Sequence, residues 1–221
     1  TTPLGIIITE KNVITVCTRG NPVLDEFTDG AVKGVQTNLK TRFILHLMLR
    51  IATKYLQYLK QIDKLSSHVE RELRKSMKNS ELIQLLDIEK SLVYFSSSLK
   101  GSEITIEKIS RGRVVKLYEE DQDLLEDVLI EVRQAIEMSS IYLNILSGTM
   151  DAFASVISNN LNIVMKVLAS ITLIISIPTV ISSFYGMNVE GLPLPFFWFP
   201  LLLAIVSMGI AYLILRKKDM F

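Results

Sequence analysis

Two apolar runs near the C-terminus, held apart by eleven residues, restrict this chain more than anything else in it. Val164 to Phe184 is 21 residues with one charge, Lys166, near its start, and Phe196 to Leu215 is 20 residues with none. As helices rising about 1.5 Å per residue, each is long enough to cross a hydrocarbon core of about 30 Å. The intervening Tyr185-Gly186-Met187-Asn188-Val189-Glu190-Gly191-Leu192-Pro193-Leu194-Pro195 is too short to be a domain, and its Gly and Pro residues stop one helix and start the next. The two spans therefore form an antiparallel hairpin with residues 185–195 as its outer loop.

Charge gives the hairpin a side. Arg216-Lys217-Lys218 follows the second span, Lys166 stands at the mouth of the first, and the loop carries only Glu190. The positive-inside rule predicts an outward-facing loop, a cytoplasmic tail at 216–221 and a cytoplasmic location for everything before about Asn162. Cys17 is the only cysteine, so no internal disulfide is expected.

The net charge of +1 conceals a partition. Residues 1–118 hold 19 basic against 12 acidic side chains, residues 119–151 hold 1 against 9, and residues 152–221 hold 4 against 2. The basic residues of the first stretch are spread along helical patterns without clustered aromatics, which argues against a nucleic-acid partner.

Ahead of the membrane, Ile6-Ile7-Ile8 and Val13 to Val16 predict two short strands around Glu10-Lys11-Asn12, and Gly20 to Gly34 reads as a loop. From Leu39 to Lys78, Ile44, Met48, Ile51, Tyr55, Tyr58, Ile62, Leu65 and Val69 recur at four- and three-residue spacings, predicting a helix with a coiled-coil seam. Asn79 or Ser80 breaks it and caps a second helix carrying Leu82, Ile83, Leu86, Glu89 and Val93, the two forming an α-hairpin. Ser102 to Ile109 alternates as a strand would. From Glu119 no Pro intervenes before Pro178, so one helix is expected from Glu119 to Phe184, its lower part (119–163) a stalk and its upper part (164–184) the first span. Its apolar face needs neighbours.

Along that helix Asn144, Asp151, Ser155, Ser158, Asn162, Thr172, Ser176, Thr179 and Ser183 fall near one 3.5-residue line, with Met165 and Leu168 beside it. Polar groups entering a bilayer must face protein or water. Small hydroxyl residues serve helix packing, and they also line aqueous paths; the residues alone leave both readings open. The oxygen ligands are hard and include no Cys or His, which suits a hard, hydrated cation. His46 and His68 read as packing or solvated groups. No nucleophile–base pair, phosphate loop or zinc spacing is present, so no catalytic residue is assigned and an enzyme is not expected.

The Tyr185-Gly186-Met187-Asn188 run at the outer end of the first of two C-terminal spans, followed by a basic tail and preceded by a long helical region, resembles the CorA family of magnesium channels. The similarity runs from about Leu39 to Met220 and includes Asp151-Ala-Phe and Asn162-Ile-Val-Met-Lys-Val-Leu. It implies a mainly α membrane fold: the end of a cytoplasmic α/β domain with a helical hairpin (1–118), a stalk helix running into the first span, the outer loop, the second span (196–215) and the tail. It favours helix for Ser102 to Ile109, and it implies further α/β structure ahead of Thr1.

The resemblance also implies roles. Gly186, Met187 and Asn188 would form the outer selectivity filter, with Glu190 an acid in the same loop. Asp151, Ser155, Ser158, Asn162, Met165, Leu168, Thr172, Ser176, Thr179 and Ser183 would line the pore, with Met165 and Leu168 at an apolar constriction and Asp151 in a carboxylate ring. Asp127, with Asp123 and Glu126, would belong to an intersubunit Mg²⁺ sensor, although acids also suit a solvated helix start. The implied protein is a homopentamer in the cell membrane that carries Mg²⁺, with Co²⁺ or Ni²⁺ as alternative substrates. A zinc carrier of the same superfamily and a pore-free membrane-anchored coiled-coil scaffold are the competing readings.

Overall fold

The computed structural model describes residues 1–32, 34–76, 78–112, 114–188, 193–194, 196–218 and 220. They fall into two compact units, Thr1–Asp151 and Ala152–Phe221.

The first unit opens with strands β1 (Leu4–Ile8) and β2 (Val13–Cys17), paired antiparallel in the register Leu4 to Cys17 through Ile8 to Val13. The Thr9 N–H donates to the Asn12 carbonyl at 2.8 Å, and the Asn12 N–H donates back to the Thr9 hydroxyl at 2.9 Å, closing the turn. Lys40 donates to the carbonyls of Thr9 and Glu10, tying this turn to the start of the next long helix.

The segment expected to be all loop contains helix α1 (Pro22–Thr28). Asn21 caps it, its side-chain oxygen accepting from the Val23 N–H at 3.0 Å, with Pro22 pre-set for the first helical position and Asp25 in the first turn. Glu26 then reaches Arg50 and Lys54, the latter at 2.6 Å, and the two cations hold its carboxyl down at about 2. Phe27 packs edge-on to Phe43 at 5.7 Å.

Helix α2 (Lys40–Ser76) and helix α3 (Asn79–Ser110) form the expected α-hairpin, and Ser102 to Ile109 is helical. Lys78, not Asn79 or Ser80, is the N-cap of α3, in extended backbone and without a side-chain cap bond. The buried faces also differ from expectation. On α2, Ile44 and Val69 of the expected seam are buried together with Leu45, Leu47, Ala52, Leu56, Leu59 and Leu73, whereas Tyr58 and Leu65 of that seam are 43% and 51% exposed. Apolar residues stand side by side at Ile51–Ala52 and Tyr58–Leu59, and in each pair the second is the buried one. On α3, Leu85, Ile88, Leu92, Leu99, Ile106 and Ile109 are buried at spacings of three, four and seven residues, while Ile83, Leu86 and Val93 are exposed.

After a 3-10 turn at Glu119–Asp121 comes α4 (Gln122–Tyr185), within one residue of the expected end. In the first unit its Leu125, Val128, Val132, Ala135 and Ser139 are buried at alternating threes and fours, and Leu146 follows seven residues on. Leu125, Val128 and Val132 share one core with Leu45 and Ala52 of α2 and with Ile106 and Ile109 of α3. Three seams meeting there bury the apolar face that a lone stalk would have left in water. The buried Ser139 hydroxyl donates to the Leu92 carbonyl at 3.2 Å, and Arg133 reaches Glu103 at 3.0 Å and Glu107 at 3.6 Å.

The second unit holds the rest of α4 and helix α5 (Trp198–Lys217). Phe196 and Phe197 precede α5, so the second span starts two residues later than expected and extends into the basic Arg216-Lys217. Only 6% of the residues in the most apolar stretch of each helix are buried. Helices this apolar and this uncovered are not core helices of a water-soluble unit; their side chains require an apolar surrounding of lipid length.

Candidate ion path

Within the second unit, α4 has two dissimilar faces. Val167, Ser170, Ile174, Ile177, Ile181 and Tyr185 are buried or half-buried, at spacings of threes and fours. Both ends of this line touch the α5 side. Ser170, fully buried, donates its hydroxyl to the Met220 carbonyl at 3.1 Å, and the Tyr185 ring lies 6.1 Å from that of Phe199. On α5 the matching buried or half-buried residues are Pro200, Ala204, Ser207, Met208, Ala211 and Leu215. Three of these α5 residues, Ala204, Ser207 and Ala211, are small, as is Ser170 on α4.

The polar line lies on the other face. Thr172, Ser176, Thr179 and Ser183 each follow a residue of the packed line by two positions, a rotation of roughly 200° at 3.6 residues per turn. All four are exposed, as are Met165 and Leu168. The line is thus not the surface on which α4 packs against α5. Ser155, Ser158 and Asn162 are exposed in the second unit, and Asp151 and Asn144 are exposed in the first.

The hydroxyls on this line are already oriented. Thr172 donates to the Leu168 carbonyl at 2.8 Å, Ser176 to that of Leu173 at 2.8 Å and Thr179 to that of Ile175 at 3.1 Å. With each proton committed to the helix's own backbone, the oxygen lone pairs remain outward as neutral acceptors. Such oxygens accept hydrogen bonds from the water shell of a cation without stripping it. Pro178 within α4 cannot donate to the Ile174 carbonyl, and the helix continues through it.

At the end of α4 the Gly186 N–H donates to the Ser182 carbonyl at 2.9 Å and the Met187 N–H to that of Phe184 at 3.4 Å. A β-carbon at Gly186 would sit 3.2 Å from the Ser182 oxygen, so glycine allows the tight exit from the helix. Met187 and Asn188 are exposed. Glu190, the expected loop acid, lies outside the described residues, as do Gly191 and Pro195.

The acidic start of α4 is mixed in character. Asp123, Glu126 and Asp127 are exposed, but Asp121 is only 5% exposed, so the run is not uniformly solvated. Among the described residues no group of three or more His, Cys, Asp or Glu is arranged to hold a metal ion within one chain. His68 is exposed and His46 half-buried, its pKa lowered by desolvation and by neighbouring Arg42. Ser170 and the Tyr185–Pro193 contact were not found from the sequence. Their partners are 50 and 8 residues away, and Ser170 falls off the polar line that drew notice.

A helical hairpin whose two apolar helices are uncovered, with a polar line on the outer face of the first, defines a two-span membrane protein. The CorA-like Mg²⁺ transporter protein family matches residues 1–217, and the chain belongs to that family. It is 28% identical over 179 residues to the cobalt/magnesium transport protein CorA of Methanocaldococcus jannaschii, covering 79% of this chain and 56% of that protein. With the cobalt/magnesium transport protein CorA of Thermotoga maritima it shares 25% identity over 178 residues, covering 79% and 51%. The chain spans about half the length of the curated relatives it matches. The fold is similar to the complete structure of the M. jannaschii CorA magnesium transporter, at a TM-score of 0.75 and 21% identity over 98% of this chain and 74% of that one. The soluble domain of the same transporter matches at a TM-score of 0.61 and 22% identity, covering 67% and 61%.

Proposed function

We propose that the protein to which this chain belongs conducts Mg²⁺ across the cell membrane, with Co²⁺ as a second substrate, along the polar line of α4. The observation that carries this is the position of Thr172, Ser176, Thr179 and Ser183 opposite the face that packs on α5, with the hydroxyl protons of the first three bonded back to the helix's own carbonyls. One such line cannot enclose a path. Several copies arranged about an axis would turn their lines inward, and a homopentamer is the state the family resemblance suggests. Asp151, Ser155, Ser158 and Asn162 would extend the path on the cytoplasmic side, and Met165 and Leu168 would form its apolar constriction. Gly186, Met187 and Asn188 would meet the hydrated ion at the outer end. The loop faces outward and both termini inward, by the positive-inside rule.

Asp123, Glu126 and Asp127 would sense cytoplasmic Mg²⁺ between subunits. Residues 119–151 carry 9 acids against 1 base. Repeated around an axis, that density of like charge repels unless cations neutralise it. Bound Mg²⁺ would favour the closed state and its loss the open one. The names of the curated relatives, cobalt/magnesium transport proteins, support this ion class over the zinc reading. The test is metal uptake into vesicles by the full-length protein, comparing Mg²⁺, Co²⁺ and Zn²⁺, and Asn188→Ala with the parent. Mg²⁺ uptake by the parent that is lost in an assembled Asn188→Ala is the expected result; equal uptake by both removes the filter assignment.

A further inference from the structure

We propose that Phe196, Phe197 and Trp198 form an anchor for a lipid surface, seating the loop-side end of α5 in the headgroup layer with the Trp198 indole at the edge of the hydrocarbon core. The inference rests on the two-span class, and on the proposed ion path only for choosing lipid over a second copy of the chain. The three aromatic side chains are 69%, 75% and 73% exposed. Phe197 and Trp198 stand edge to face at 5.5 Å, so they present one joined aromatic surface. Trp198 precedes Pro200 of the packed line by two positions, a rotation of roughly 200° that turns it away from α4.

Water is a poor surrounding for three adjacent aromatic rings, and the helix that follows them is uncovered as well. An indole combines a large apolar ring with one N–H donor, which suits the boundary between acyl chains and headgroups better than either phase alone. The spacing of the helix ends supports that depth. From Trp198 to Arg216 is 18 positions with no charge between them, about 27 Å of helix at about 1.5 Å per residue. From Tyr185 back to Lys166 on α4 is 19 positions, again with no charge between, about 29 Å of helix. Both lengths match a hydrocarbon core of about 30 Å, each with an aromatic ring at the loop end and a cation at the other. Tyr185 and Phe199 bring the two aromatic ends to one level, and Ser170 with Met220 does the same near the two cationic ends. Two spans of nearly equal length, level at both ends, give the hairpin one depth in a bilayer. Because α4 stands between α5 and the polar line, an assembly closed by that line leaves the far side of α5, and Trp198 with it, toward lipid.

The measurement is Trp198 emission from the full-length protein in phosphatidylcholine vesicles, taken as the parent's emission less that of Trp198→Phe, which keeps a ring at this exposed position. Lipids brominated near the head of the acyl chain should remove more of this emission than lipids brominated near its end. Aqueous acrylamide should remove less than it does from the protein unfolded in denaturant. Equal or greater loss to the deep bromines would place the indole inside the core and overturn the anchor. Loss to acrylamide alone would leave the ring in water, and loss to neither quencher would place it under a second copy; either result overturns the lipid contact. Mg²⁺ uptake by the same vesicles reports on the ion path separately: a shallow Trp198 in a protein that takes up no Mg²⁺ keeps the anchor and removes the path.

Discussion

The Ser170 hydroxyl donates to the carbonyl of Met220 across 50 residues of chain, fixing the residue just beyond α5 against the buried face of α4. A small polar side chain, fully buried, is satisfied by a backbone oxygen at the foot of the partner helix. The contact orients α4 within the hairpin, and from that orientation the outward direction of the polar line follows.

Replacing Ser170 with Leu should therefore do more harm than replacing it with Ala. Ala loses one hydrogen bond, about 0.5–1.5 kcal/mol. Leu in addition forces the helices apart, at about 1–3 kcal/mol for an overpacked site. Thermal unfolding of the detergent-solubilised protein should rank parent, Ala, Leu in falling order; equal midpoints for all three would mean that Ser170 does not set the helix approach.

In the first unit Ile106 is buried in the core shared by α2, α3 and α4. Ile106→Ala should cost about 2–5 kcal/mol, the usual penalty for a deleted aliphatic side chain at a site that cannot collapse. Ile83→Ala, at an exposed position on the same helix, should change stability by less than about 0.5 kcal/mol. Denaturant unfolding of the two variants compares them directly.

That contrast marks how far the sequence reads. The two spans, the strand pair, the α-hairpin and the long helix were legible because length and period alone define them. The seam on α2 was legible only in part: Ile44 and Val69 are buried as expected, but Tyr58 and Leu59 are neighbours and no local pattern says which of the two is buried. Helix α1 escaped because seven residues are too few for a period, although Asn21-Pro22 was a usable start signal. The polar line was visible in the spacing, but its direction depended on Ser170 and Met220, whose pairing no local pattern contains.

Glu26 gives a pH dependence of known sign. Arg50 and Lys54 lower its pKa from 4.5 to about 2 in the folded chain. Its contribution is complete above the unfolded value and is lost as pH falls from about 4.5 to about 2. Unfolding midpoints of the parent and Glu26→Gln should differ above pH 4.5 and converge toward pH 2. A constant gap would mean that the ion pairs do not hold α1 on α2.

At the proposed constriction, Leu168→Asn or Met165→Asn should make the proposed path leaky. An apolar ring excludes a hydrated ion by dewetting, and an amide lets water remain. Current at inhibiting cytoplasmic Mg²⁺ should rise several-fold over the parent by this account; unchanged current would place the gate elsewhere.

On the proposed sensor reading, neutralising Asp127 should weaken inhibition by cytoplasmic Mg²⁺, and neutralising Asp123, Glu126 and Asp127 together should weaken it further. The measurement is current against cytoplasmic Mg²⁺ in the full-length protein. An unshifted inhibition curve in the triple variant would return the acidic run to the role of a helix start.

The direction of the polar line is tested most directly by thiol block of Mg²⁺ uptake. With Cys17 replaced by Ser, single cysteines are placed at Ser176 and Ser183 on the polar line, and at Ile177 and Ile181 on the packed face. A bulky water-borne thiol reagent reacts only where water reaches. Uptake by Ser176→Cys and Ser183→Cys should be blocked, and uptake by Ile177→Cys and Ile181→Cys should continue. Equal block at all four positions, or block confined to Ile177→Cys and Ile181→Cys, would contradict a path lined by the face of α4 opposite α5.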